Sequence, residues 1–164
     1  MILHFSKKLA DLLKCQFSME GISVVQAGRL DAWSGHSFRV GRIEYVIMMN
    51  DACLFSILMP AKGLTSVESF LDAFLPRVAK AWQEHGGTID CLNQEVIILK
   101  RSNKSLIGSM TEAVKMIKFY AEFDREEHPN YTPMDLEERL NNIPYKAIGF
   151  ENSHRLLTRL LAKN

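Results

Sequence analysis

Residues 36–60, HSFRVGRIEYVIMMNDACLFSILMP, decide how this chain of 164 residues folds. SFRV alternates polar with apolar, Gly41-Arg42 makes a turn, and the β-rich runs IEYVIMM and CLFSILM are separated by the turn-forming Asn50-Asp51-Ala52. The stretch therefore predicts an antiparallel meander. Tyr45 to Met49 is apolar throughout, which marks a central strand covered on both faces.

Downstream, Thr65 and Glu68 have capping-box spacing. Val67, Phe70, Leu71, Phe74, Leu75, Val78 and Trp82 then recur at three and four residues, so a helix is expected over 65–85, bent at Pro76. After Gly86-Gly87, residues 95–99 read as another strand. A polar turn, KRSNKS, leads from it to Gly108 and to Ser109 and Glu112, again at capping-box spacing. This predicts a helix over 109–123 with Val114, Ile117, Phe119, Tyr120 and Phe123 buried.

Upstream, Ile2 to Phe5 suits a short strand and Ser6 caps a helix carrying Leu9, Leu12 and Leu13, while residues 19–35 are looser, although ISVVQ could pair. Beyond residue 122 the acidic EFDREEHPN reads as a boundary. Thr132 and Pro133 then open a helix ending near Asn142, and Ser153 to Ala162 forms a last one. The expected fold is α+β: a mainly antiparallel sheet of about five strands, helices 65–85 and 109–123 on one face, and two C-terminal helices closing an end. Residues 1–125 form the core, with 126–164 a helical extension packed on it.

Twenty basic and nineteen acidic residues leave a charge of +1, so any electrostatic function must be local. Cys15, Cys53 and Cys91 are odd in number and widely spaced, which suits a reduced cytoplasmic setting. No apolar run reaches the roughly 18 residues of a membrane span, and the N-terminus lacks the layout of a secretory signal.

Taken together, AWSGHSFRVGRIEYVIMMNDACLFSILMPAKG and RSNKSLIGSM resemble an uncharacterised bacterial family of small stand-alone proteins, a domain of unknown function. The resemblance rests on Trp33, Arg42, Asn50-Asp51, the Leu-Phe-Ser at 54–56, Pro60 and the Asn-Lys-Ser turn running into Gly-Ser-Met at 108–110, and it covers roughly the first 125 residues. It implies a fold unit and supplies no catalytic residue. Proteins of this kind are typical cargo of mobile gene cassettes, which implies an accessory role.

Among candidate sites, Arg101, Asn103, Lys104, Ser105 and Ser109 could hold an anion where a strand runs into a helix. A turn-and-cap reading accounts for the same residues. Trp33 beside Arg42 and Asn50-Asp51 could stack a planar ligand at the mouth of the sheet, or could serve as core aromatic, strand-end cation and hairpin turn. Arg155, Arg159 and Lys163 recur every four residues on the last helix, a stripe able to grip nucleic acid but more simply a solvated face, and nucleic acid is disfavoured. The five histidines are scattered, so no metal or other cofactor is expected. His36 and Cys53 could meet across the meander, yet a cysteine within CLFSILM is expected to be buried and inert. G-x-S-x-G, G-x-G-x-x-G and H-E-x-x-H are all absent, which argues against an enzyme. The leading expectation is a non-catalytic binding or interaction module that self-associates or meets a protein partner. The alternatives are an anion-binding protein or enzyme using the 100–109 turn, and a nucleic-acid-associated regulator using the last helix.

Overall fold

The computed structural model of the chain describes residues 1–17, 30–87, 95–127 and 135–163, with backbone alone for 124–127. ISVVQ, Cys91, His128, Thr132 and Pro133 lie outside the described residues. In chain order the elements are β1 (Ile2–Phe5), α1 (Lys7–Leu12), β2 (Ala32–Val40), β3 (Ile43–Asn50), β4 (Ser56–Pro60), α2 (Val67–Glu84), β5 (Ile97–Lys100), α3 (Lys104–Glu127), α4 (Leu136–Asn142), β6 (Pro144–Tyr145), β7 (Glu151–Asn152) and α5 (Ser153–Leu161).

The fold is α+β, and its main sheet has five strands in the order β4-β3-β2-β1-β5. The meander β2-β3-β4 is antiparallel with register Val40↔Ile43 and Met49↔Ser56. Gly41 turns its first hairpin at φ 58°, a left-handed conformation that suits glycine. β1, by contrast, is parallel to both neighbours, pairing Phe5 with Gly35 of β2 and with Lys100 of β5. The sheet is therefore mixed.

Alternation along β3 divides the core in two. Val46 and Met48 join Phe5, Trp33, Ile57 and the apolar stripes of α1, α2 and α5. Tyr45, Ile47 and Met49 join Phe38, Leu58 and the buried faces of α3 and α4. The two long helices thus cover opposite faces, where the sequence led us to place both on one. The physical reason is the strand itself: a run apolar at every position must bury both sets of side chains. Gly35 marks the tightest packing, since a Cβ there would lie 2.6 Å from both Leu9 Cδ2 and Met48 Sδ.

Two helix starts also differ from expectation. For α2 the cap is Ser66, whose hydroxyl accepts from the Ser69 amide while the Ser69 hydroxyl takes the Ser66 amide, so the box is one residue beyond Thr65/Glu68. For α3 the cap is Asn103, whose Oδ1 accepts from the amides of Ser105 and Leu106. Ser109 therefore lies in the second turn, and nothing stands within 4 Å of a Cβ at Gly108. Phe119 and Phe123, expected to be buried, are each 62% exposed on the outer side of α3.

The outer strand β4 does not end in open hydrogen-bonding groups. The Ser56 amide donates to Asn141 Oδ1 at 2.7 Å, the Asn141 side-chain amide donates back to the Ser56 carbonyl at 2.9 Å, and the Leu58 amide donates to Glu137 Oε2 at 2.6 Å. Spaced by one helical turn, two side chains of α4 thus occupy alternate positions of the strand as a neighbouring strand would.

Candidate functional site

Trp33, Arg42, Asn50 and Asp51 do not converge. Trp33 is fully buried, its ring stacked on Trp82 at 5.5 Å and edge-on to Phe74 at 5.2 Å. Arg42 is exposed at the far tip of the hairpin, because β2 runs from Trp33 to Val40 before the turn. Asn50 organises its own turn, donating to the Leu30 carbonyl and accepting from the amides of Ala52 and Cys53. Asp51 lies 3.1 Å from His4 Nδ1. Nor do His36 and Cys53 meet. The Cys53 thiol sits in the α2-side core against Asn50 Oδ1, and burial pushes it up to about 12.

The 100–109 segment separates into two kinds of residue. Asn103 is spent on main-chain amides, while Lys104 and Ser105 are exposed on the first turn of α3. Arg101 turns inward instead. In the basic stripe of α5, Arg159 is held by Glu151 at 2.7 Å, and Arg155 and Lys163 are exposed.

What surrounds Arg101 follows from the topology. The chain leaves β1 for α1 on one face of the sheet and leaves the adjacent parallel β5 for α3 on the other. In sheets with parallel strands, a crevice opens outside the carboxyl ends where successive connections part in this way. The backbone brings its edges together: the Arg101 amide donates to the Phe5 carbonyl at 3.0 Å and the Ser6 amide to the Gly35 carbonyl at 2.9 Å. Ser6 and Arg101, which directly follow the ends of β1 and β5, therefore stand in line with His36 in the middle of the neighbouring β2.

Ser6 Oγ is 2.9 Å from His36 Nδ1 and also accepts from the Leu9 amide at 3.2 Å. Burial, followed by the charges of Arg101, Lys8 and Lys118, pushes His36 down to about 4, so its imidazole is neutral at pH 7. Lys8 is tied to Glu44 at 3.0 Å. Arg101 is half-buried, donates to Met110 Sδ at 2.8 Å and has no carboxylate partner among the described residues. Two residues from His36, the buried Ser34 hydroxyl also lacks a hydrogen-bond partner among the described residues. The cluster is cationic: Glu44 compensates Lys8, while no described carboxylate pairs with Arg101.

A polar cleft of about 480 Å³ lies where α2, α4 and α5 meet beside β4. His85 Nδ1 is 2.7 Å from the Ala81 carbonyl and His85 Nε2 is 2.8 Å from His154 Nδ1. The carbonyl fixes a proton on His85 Nδ1, so His85 Nε2 accepts from His154 and the His154 Nε2 lone pair is left over. Phe55 stands edge-on to both imidazoles. Burial, with His85 as the next cause, lowers the affinity of His154 for a proton. Here Arg77 has its counter-charge, since Arg77 Nη2 and the Leu58 amide both donate to Glu137 Oε2 at 2.6 Å.

Sequence reasoning found Arg101 but read Ser6 only as a cap, weighed His36 only against Cys53 and left His154 among scattered histidines. The pairs Ser6–His36 and His85–His154 are separated by 30 and 69 residues. Only the strand register and the helix packing bring them together. Among the described residues, no group of three or more histidines, cysteines or acids could hold a metal ion. No described helix is long and apolar enough to cross a membrane.

Neither characterised proteins nor solved structures yield a significant match to the chain. The model of the family DUF6933, described as a domain of unknown function, matches residues 2–156, which reaches beyond the stretch that first suggested a family and takes in α4 and the first turn of α5. The chain belongs to the DUF6933 family.

Proposed function

We propose that the chain is a binding protein for a small anion, carrying phosphate or carboxylate, held at the carboxyl ends of β1 and β5. One observation carries this reading: Arg101 is half-buried, donates to a thioether sulfur and forms no ion pair with a carboxylate among the described residues. Desolvating a guanidinium without a counter-charge is costly, and an anion accepting from it would offset that cost. Lys8, Lys118 and the Ser6 hydroxyl supply further recognition, and the free thiols Cys15 and Cys53 fit a reducing cytoplasm.

Inorganic phosphate titrated into the full chain should raise the melting temperature in a saturable way. The Arg101→Met variant, which keeps the apolar stem, should lose that rise. A phosphate response unchanged in Arg101→Met would end the reading.

A second reading, a self-associating module, is favoured by the outer side of α3, where Phe119 and Phe123 stack at 6.1 Å while largely exposed. Sedimentation of wild type against a Phe119→Ser, Phe123→Ser variant tests it. A monomer at all concentrations would exclude it.

A further inference from the structure

The anion site has more chemistry than binding requires. Ser6 occupies the turn between the interior strand β1 and α1, and its oxygen already accepts the Leu9 amide proton. The hydroxyl proton then needs an acceptor of its own. His36 Nδ1, 2.9 Å away, is the acceptor in place among the described residues, and it has the lone pair to receive that proton when the ring carries its hydrogen on Nε2. A serine whose proton rests on a neutral imidazole is a nucleophile paired with its base. Arg101 is anchored beside it through the backbone bond to Phe5, and adds a guanidinium fork suited to phosphate oxygens.

We propose that Ser6 and His36 form a nucleophile–base pair that hydrolyses a small phosphate monoester through a phosphoserine at Ser6. The proposal rests on the anion-binding reading above. Ser6 Oγ attacks phosphorus and the bond from phosphorus to the leaving oxygen breaks. The serine proton passes to His36 and from there, directly or through water, to the departing alcohol. A water molecule then attacks the phosphoserine, His36 takes a proton from it, and Ser6 leaves with a proton restored while inorganic phosphate departs. Overall, one ester and one water give one alcohol and one phosphate. Arg101 stabilises the charge on the transferring group, with Lys8 and Lys118 adding positive potential around it.

The role of Ser6 as a helix cap shapes the test. Ser6→Asn retains a capping oxygen and removes the nucleophile, and His36→Gln retains a polar ring-sized partner without a base. With p-nitrophenyl phosphate as probe, the full chain should release p-nitrophenolate. An acid quench should trap one phosphoryl group that peptide mapping places on Ser6. Ser6→Asn should show neither signal, and His36→Gln should turn over about 100-fold more slowly. Binding of inorganic phosphate, measured separately, distinguishes the two claims. If phosphate binds through Arg101 but no ester is cleaved and no phosphoserine forms, catalysis is overturned and binding stands. If phosphate does not bind, both fall. Turnover at the wild-type rate in Ser6→Asn would also overturn the proposal.

Discussion

Two half-buried arginines meet opposite surroundings. Arg77, on α2, shares a carboxylate oxygen of Glu137 with the Leu58 amide, so its charge is neutralised in the same act that closes the sheet edge. Arg101, just past β5, has a sulfur for its partner and more cations nearby. The first is architecture. The second is positive charge left over by the fold, and the difference separates the cleft beside β4 from the crevice at the ends of β1 and β5.

The sharpest way to break this contrast is on the architectural side. Asn141→Ala strips two partners from the buried backbone of Ser56 and should cost about 3 kcal/mol, read as a lower denaturation midpoint. A loss within error would mean that the edge tolerates solvent, and the cleft would lose its structural explanation.

Next come the arginines themselves. Arg77→Met leaves Glu137 partly buried without its cation and should cost about 1–2 kcal/mol, discounted for its partial exposure. Arg101→Met in phosphate-free buffer should cost nothing measurable or be stabilising, because a charge without a counter-charge is being replaced by an apolar stem. Equal losses in urea unfolding would show that both arginines are structural.

A pH series sharpens the crevice further. His36 binds its proton less readily in the fold, at about 4, than in the unfolded chain, where the ordinary histidine value of about 6.5 applies. Protonation therefore favours the unfolded state. The stability due to neutral His36 is complete above about pH 6.5 and is lost as pH falls towards 4. His154 shifts in the same direction. His36→Gln should flatten part of this slope, and an unaltered profile would place the titration elsewhere. The smallest effect is expected at Arg159→Ala, which removes an exposed pair with Glu151 and should change stability by about 0.5 kcal/mol or less.

How legible these features were depends on the range of the interactions behind them. The β2-β3-β4 meander is local, and alternation with turn residues announced it. Tyr45 to Met49 signalled a strand covered on both faces, although the expected fold put both long helices on one. The start of α3 was misjudged because Asn103 and Ser109 are both competent caps and Gly108 drew the choice to the later one. Leu106, Met110, Ala113 and Ile117 share the buried stripe that favours the earlier start. The candidate sites lay deeper. Ser6 and His36 become neighbours only once β1 is inserted parallel to β2, and no periodicity reports a parallel register between distant segments. Arg101 could be named from sequence, but not whether an acid would reach it.

That insertion of β1 has a kinetic consequence. Its second neighbour, β5, arrives roughly ninety residues later in the chain, so one side of β1 stays open until much of the α2 layer has been delivered. Contacts spanning so much sequence are reached late and slow the search for the native state. We expect β5 docking to be a late folding step, and with it the assembly of the crevice that Arg101 shares with Ser6.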